Sequence, residues 1–262
     1  MQITGKSVAY IYSTEFGNKF NNTNKTNSFN NELAKKDYVD KKLIKENIID
    51  FIDKNGGFSS VSKENEELFR AILSDDKISN VESKNMSYEQ AKEFDNLLSS
   101  TNLNSTEGSI HIDFSDIFGL ADISYDEDFN KALYETLKNI DDDTERFLFS
   151  SDMTGKLGYY SKRLGFEGTI EENIQADIAR EKEKYKDFEN KDQILADIIQ
   201  DLKNWKITDY GSFIKNLTDE YKSLSEHPLL SSEGRLKYKK YSQYTANMEI
   251  NYNKAKNEPK YA

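Results

Sequence analysis

The chain has no cysteine, only two histidines and only two prolines among its 262 residues. Without cysteine it forms no disulfide, offers no thiolate nucleophile and holds no Cys-ligated zinc or iron–sulfur centre. No apolar run approaches the ~18 residues that cross a membrane, and the N-terminus lacks the basic and apolar regions of a cleaved signal peptide. These absences predict a protein made in the cytoplasm without a membrane span, so any secretion would use a route independent of a signal peptide.

The composition is polar and acidic, yet rich in aromatic residues. The formal net charge is -11 and charged residues make up 32% of the chain, whereas 15 Phe and 16 Tyr can supply a core. Nucleic acids and anionic membranes bind concentrated Lys and Arg, so this charge argues against both as partners. It favours solubility, cation binding or a basic protein partner. The over-use of Asn, Lys, Ile, Asp and Tyr is typical of an AT-rich bacterial genome.

Hydrophobic periodicity predicts a mainly α fold, or an α+β fold with at most a small hairpin or sheet near residues 109–160. An apolar run at residues 8–12 interrupts an otherwise polar, Asn-rich head. The predicted organisation has five consecutive segments. They are a disordered tail (1–35), a helical region (36–105), a mixed segment with short strands (106–168), a second helical region (169–236) and a C-terminal helix that frays to a tail (237–262).

Local patterns predict two strands and several helix starts. The strand candidates are Ser109–Phe114 and Arg146–Phe149, and a turn at Met153–Lys156 followed by Leu157–Tyr160 indicates a hairpin. Four quartets have the capping-box spacing, in which a hydroxyl and an acid or amide three residues later cap one helix start reciprocally. These quartets begin at Ser79, Ser87, Ser124 and Thr169.

One segment between two amphipathic patterns carries oxygen-bearing side chains at the spacing of a calcium loop. Its candidate ligands, at loop positions one, three, seven and twelve, are Asp53, Asn55, Ser59 and Glu64. Calcium takes six to eight oxygens from alternate positions of such a loop. The segment resembles a degenerate EF-hand loop, with Gly57 at position five and Phe58 where that family has glycine. The resemblance implies weak calcium binding through these four residues, and the alternative is a glycine turn that connects two helices.

Few other residues suggest a site. His111 lies close in sequence to Asp113 and Asp116, and on a strand His111 and Asp113 point the same way, as a general base or a metal pair would. The alternative is an exposed imidazole. The acidic runs at residues 126–128 and 141–143 are interpreted as solvated helix termini, and the alternative is a Mg²⁺ or Ca²⁺ site.

The leading hypothesis is a non-enzymatic, acidic, helical interaction protein with a protein partner. The polar, Ser-, Thr- and Asn-rich N-terminus resembles the substrates of flagellar or type III-type export, which implies secretion without a cleaved signal. The partner would bind an acidic helical face or the tail. One alternative is a hydrolase that uses carboxylates or a metal near His111, Asp113 and Asp116. Another is a structural or assembly component that associates through Val8–Tyr12 or the C-terminal helices.

Overall fold

The computed structural model describes residues 48–74, 84–100, 121–164, 167–204 and 207–259. In these ranges the chain forms nine α-helices and no β-strand, which confirms the prediction of a mainly α fold. No helix in the described part of the chain is long and apolar enough to span a membrane. The helices are α1 (Ile48–Lys54), α2 (Lys63–Leu73), α3 (Tyr88–Ser100), α4 (Glu127–Lys138), α5 (Asp143–Leu157), α6 (Ile170–Lys184), α7 (Lys191–Asn204), α8 (Tyr210–Ser225) and α9 (Ser232–Asn257).

The helices divide between two compact units that are not consecutive in sequence. Their boundaries fall inside α4 and α5, so each of these helices contributes residues to both units. The described residues of the first unit are 48–74, 84–100, 121–122 and 130–147. Those of the second unit are 123–129, 148–164, 167–204 and 207–259.

The core of the first unit consists of aromatic and aliphatic side chains from α1 to α4. Phe69 of α2 and Phe94 of α3 are fully buried, and their rings meet edge to face with centroids 4.8 Å apart. Ile72 and Leu73 extend the buried face of α2 at helical spacing. Tyr134 of α4 is also buried, and its hydroxyl donates to the carbonyl of Met86 at 3.1 Å. The hydroxyl therefore keeps a hydrogen bond inside an otherwise apolar core.

In the second unit, α6 and α7 pack through apolar side chains at helical spacing. Ile174 and Ile178 of α6 are buried with Tyr159, and Ile198 and Ile199 of α7 pack against them. The interior of this pair is therefore small and mostly aliphatic.

Helices α8 and α9 of the same unit form an antiparallel hairpin. The ring of Tyr252 lies beside Gly211 at the start of α8, and the hydroxyl of Ser242 donates to the carbonyl of Thr218 at 3.4 Å. Buried positions recur every three or four residues on both helices, as in the seam of a coiled coil. They are Ile214, Leu217 and Tyr221 on α8, and Tyr241, Thr245, Met248, Tyr252 and Ala255 on α9. The seam keeps α9 helical as far as Asn257.

Two of the predicted capping boxes are confirmed. The backbone N–H of Gln90 donates to the hydroxyl of Ser87 at 3.1 Å, and the Gln90 side chain accepts from the N–H of Ser87 at 2.9 Å. Thr169 and Glu172 make the same reciprocal pair at the start of α6. Each box satisfies two N–H groups that a helix start leaves without intrahelical partners.

The box predicted at Ser124 is wrong by two residues. Helix α4 begins at Glu127, and the carboxylate of Asp126 accepts from the N–H of Phe129 at 2.7 Å. The hydroxyl of Ser124 instead accepts from the N–H of Asp126 at 3.2 Å. Asp126, rather than Ser124, caps α4, because a carboxylate acceptor at a helix N-terminus is favoured by the helix dipole. The quartet at Ser79 lies outside the described residues.

The short strands and the hairpin predicted for residues 146–160 are wrong. Arg146–Phe149 and the predicted turn at Met153–Lys156 both lie within α5, and a 3₁₀ helix follows at Gly158–Tyr160. The other strand candidate, Ser109–Phe114, lies outside the described residues.

The start of α5 explains this difference. The carboxylate of Asp142 accepts from the N–H of Glu145 at 2.7 Å, which caps the helix. Arg146 is fully buried, and its guanidinium donates to the carbonyl of Ile140 at 2.7 Å and to the carboxylate of Asp143. These contacts begin a helix just before the apolar run, and the run then supplies part of its buried face. The acidic residues 141–143 therefore serve a helix terminus, as predicted.

We expect Phe69→Ala to destabilise the chain by about 3–5 kcal/mol, because it removes a fully buried ring and leaves a cavity beside Phe94. Phe147→Ala is the matched control, since the side chain of Phe147 is 49% exposed in the same unit. Urea unfolding followed by circular dichroism measures both. Equal losses from the two substitutions would contradict the assignment of Phe69 to the core.

Candidate functional site

The four predicted calcium ligands lie in and around the turn between α1 and α2, and the first of them is already paired. Both carboxylate oxygens of Asp53 accept from the Arg70 guanidinium, at 2.6 and 2.8 Å. Hydrogen bonds from Arg70 hold the pKa of Asp53 below its usual value. Asp53 is therefore ionised, and the guanidinium of Arg70 already faces its carboxylate.

The other three candidates do not converge with Asp53. The amide of Asn55 donates to the carbonyl of Phe51 at 2.8 Å, and the hydroxyl of Ser59 donates to the carbonyl of Gly56 at 2.6 Å. Glu64 is exposed in the first turn of α2. Among the residues that the structure describes, no group of three or more His, Asp or Glu side chains is placed to hold a metal ion. Calcium binding by this loop stays a prediction, and it requires that calcium displace Arg70 from Asp53.

Arg70 is the residue of this loop that sequence reasoning missed. Its guanidinium lies 4.0 Å from the ring centroid of Phe58, which is buried at the position where an EF-hand has glycine. Arg70 also donates to Glu66 at 2.9 Å. The i, i+4 spacing of Glu66 and Arg70 is visible in the sequence, whereas the contact with Asp53 spans 17 positions. The cation–π contact and the bidentate pair join α2 to the turn.

Of the two histidines, His227 lies in the described part of the chain. His111, with Asp113 and Asp116, lies outside the described residues, so the hydrolase alternative stays a prediction. His227 lies in the turn between α8 and α9, where its Nδ1 accepts from the N–H of Leu229 at 3.3 Å. Its contact is with the backbone of its own turn.

A second candidate lies in the second unit, where α5, α8 and α9 bring together Asp152, Tyr221, Tyr238 and Tyr241, here called the acid–tyrosine cluster. The hydroxyl of Tyr221 donates to the carboxylate of Asp152. The ring of Tyr238 stacks on Tyr221 with centroids 6.0 Å apart, and Tyr241 meets Tyr221 edge to face at 5.5 Å. A carboxylate on α5 is thus held among aromatic rings of the hairpin.

Charged groups surround this carboxylate. Lys156 of α5 forms an ion pair with Glu220 of α8 at 2.7 Å. Burial raises the pKa of Asp152 above its ordinary value, and this effect outweighs the hydrogen bond from Tyr221 and the charges of Lys156 and Lys237. Burial and the nearby carboxylate also raise the pKa of Tyr221 well above 10, so the phenol remains a donor at neutral pH.

Sequence reasoning missed Asp152 because it did not place residues 146–160 in a helix. On α5, Asp152 lies between the buried residues Phe149 and Met153, at helical spacing from Phe149. An acid within an apolar stripe is a readable signal once the helix is recognised. Its partner Tyr221 is 69 positions away and could not be read from local pattern.

The third candidate is the hairpin tip, defined as residues 226–236, which comprises the turn between α8 and α9 and the first residues of α9. The side chain of Leu229 is 88% exposed and that of Leu236 is 56% exposed. Backbone hydrogen bonds hold this turn, since Leu230 N–H donates to the carbonyl of His227 at 3.2 Å. Arg235 donates from Nη1 to the carbonyl of Leu230 at 2.9 Å. The tip therefore displays leucines from an ordered backbone.

A cleft of about 360 Å³ lies beside the start of α6. Its lining includes Tyr125 and Lys162, whose Nζ lies 5.2 Å from the Tyr125 ring centroid. The N–H of Thr169 donates to the carboxylate of Glu172 at 2.6 Å. A side chain of the protein itself thus occupies the helix N-terminus, where an anion would otherwise bind.

We expect Asp152→Asn to raise the melting temperature at neutral pH, because the amide oxygen still accepts from Tyr221 while no charge has to be buried. The pKa of Asp152 is raised in the folded state, so the wild type gains stability relative to the variant as the pH falls. The two proteins should converge below about pH 4, where both side chains are neutral. Thermal melts over a series of pH values measure this difference.

Two variants control for this result. Asp219→Asn changes an exposed acid on α8 and should alter stability by no more than about 0.5 kcal/mol. Asp152→Ala removes the acceptor of Tyr221 and should cost about 1–3 kcal/mol. If Asp152→Asn proves as destabilising as Asp152→Ala at neutral pH, burial does not penalise the charge of Asp152.

Calcium binding at the α1–α2 turn can be tested through Arg70. Thermal melts in EDTA, in millimolar calcium and in millimolar magnesium should show a larger calcium-selective rise for Arg70→Met than for the wild type, because Asp53 is then released. Asp53→Asn should abolish the rise. A ligand at a hundredfold excess over Kd stabilises the folded state by ~2.7 kcal/mol. If neither the wild type nor Arg70→Met responds selectively to calcium, the turn only connects the two helices.

Comparisons with protein-family models, with curated protein sequences and with solved structures found no match for this chain.

Proposed function

We propose that this chain is a helical interaction protein and that its hairpin tip binds a protein partner. The exposure of Leu229 and Leu236 is the observation that supports the proposal most directly. Binding residues are often carried by loops that a rigid scaffold positions, and a partner can bury the apolar side chains exposed there. Burying one leucine against a partner contributes about 1.5–3 kcal/mol.

The order of the tip strengthens this interpretation. The hydroxyl of Ser231 accepts from the N–H of Gly234 at 3.1 Å and caps α9, and Arg235 is bonded back to Leu230. A partner that binds the two leucines does not first have to order this turn. Preorganisation of this kind raises affinity because less conformational entropy is lost on binding.

The acid–tyrosine cluster adjoins the tip and helps to hold it in place. Tyr238 lies two residues after Leu236 and stacks on Tyr221, which is bonded to Asp152 of α5. The start of α9 is therefore attached to two other helices of its unit. In this proposal the cluster positions the tip and takes no part in binding.

Calcium binding at Asp53, Asn55, Ser59 and Glu64 and export without a cleaved signal are separate predictions. The first concerns the first unit, and the second concerns residues 1–35, which lie outside the described ranges. Neither is needed for the hairpin tip to bind a partner.

Photo-crosslinking in the cells that express the chain tests the proposal. A photoreactive benzoylphenylalanine in place of Leu229 should give one discrete protein adduct, because the tip docks in one orientation. The same group in place of Phe188, which is 52% exposed in the same unit, is the matched control and should give only background. Leu236→Ser should remove the adduct at position 229. The same pattern at both positions, or no discrete adduct at position 229, would overturn the proposal.

A further inference from the structure

We infer that the partner of the hairpin tip presents carboxylates around an apolar pocket, which makes it an acidic protein surface. This inference rests on the proposed function, because it takes the tip as the docking surface. It differs from the basic partner that the overall charge favours. The reason is the local charge at the start of α9, where a group of cations surrounds Leu236 in the sequence. These cations are Arg235, Lys237, Lys239 and Lys240.

The sign of the charge reverses locally. The chain as a whole carries a formal net charge of -11. Residues 222–240 contain five cations against the two carboxylates of Glu226 and Glu233, a net charge of +3. No Asp or Glu occurs between residues 234 and 248. Salt limits the reach of exposed charges to about 8 Å at physiological ionic strength, so a docked partner would sense mainly this local patch.

The cations lie on the same part of the helix as the apolar contact. Leu236, Lys239 and Lys240 have i, i+3 and i+4 spacing on α9, which places them on one face of the helix. The guanidinium of Arg235 is fixed against the carbonyl of Leu230 at 2.9 Å. A surface that receives Leu236 therefore meets the exposed Lys239 and the fixed guanidinium of Arg235 at its edge.

Lys237 lies on the adjacent side of α9. Its Nζ is 5.6 Å from the ring centroid of Tyr238 and 5.1 Å from that of Tyr241. These contacts keep the cation close to the acid–tyrosine cluster rather than extended into solvent. Lys239, which is exposed, is the better position for a charge reversal that leaves the cluster unchanged.

An acidic protein surface fits the tip better than an anionic bilayer does. The net charge of -11 opposes a close approach of the whole chain to an extended anionic plane. A protein pocket needs to meet only the tip, and an acidic rim would pair with these cations and exclude basic competitors.

Fluorescence anisotropy of the full-length protein with defined probes tests the inference. The probes are two synthetic helical peptides that share a leucine seam, one with Glu and one with Lys at the remaining positions, and vesicles of phosphatidylglycerol and phosphatidylcholine. The acidic peptide should bind best, and its affinity should fall as the salt concentration is raised. Lys239→Glu should weaken its binding by about threefold or more. Lys254→Glu makes the same change at an exposed position near the other end of α9 and should have a smaller effect.

Each outcome tests either the acidic-partner inference or the proposal that the tip is a docking surface. Equal binding of the acidic and basic peptides, stronger binding to the vesicles, or equal effects of Lys239→Glu and Lys254→Glu would overturn the acidic-partner inference. A discrete adduct from position 229 would in that case still support the tip as a docking surface. Leu229→Ser with Leu236→Ser should abolish binding of the acidic peptide while leaving the circular dichroism spectrum unchanged. If that variant binds the peptide as well as the wild type does, the leucines are not the contact.

Discussion

The hydrogen bond from Tyr221 to Asp152 is the contact on which the second unit most depends. It joins α5 to the hairpin of α8 and α9, and the rings of Tyr238 and Tyr241 close around it. Asp152 is half-buried, and a partly desolvated carboxylate is costly unless its oxygens accept hydrogen bonds. Here the hydroxyl of Tyr221 donates one. The arrangement fixes which face of the hairpin turns inward. The heptad-like seam then determines how the two helices align along their length.

Features that depend on neighbouring residues could be predicted from the sequence. The stripe at Ile174 and Ile178 lies on the buried face of α6, and the Ser87 and Thr169 caps form as their spacing indicates. Helical periodicity and hydroxyl caps involve only three to eight consecutive residues, so a sequence window contains all the information that they need. The fold class follows from the same signals.

Features that depend on distant residues could not be predicted. The hydrogen bond from Tyr221 to Asp152 spans 69 positions. The pair of Asp53 with Arg70 spans 17 positions. In both cases a charged side chain has a partner that periodicity does not identify. The strand prediction at Arg146–Phe149 failed for a local reason instead, because the cap at Asp142 and the bond from Arg146 to Ile140 span only three and six positions.

The division of the chain carries a consequence for how this protein can change over evolution. Because α4 and α5 each supply residues to both units, a genetic exchange of one unit would have to join new sequence in the middle of two helices. Loops tolerate such junctions, whereas a helix interior has to keep its apolar residues on the same face across them. We therefore expect the two units to have been inherited together and not shuffled as separate modules.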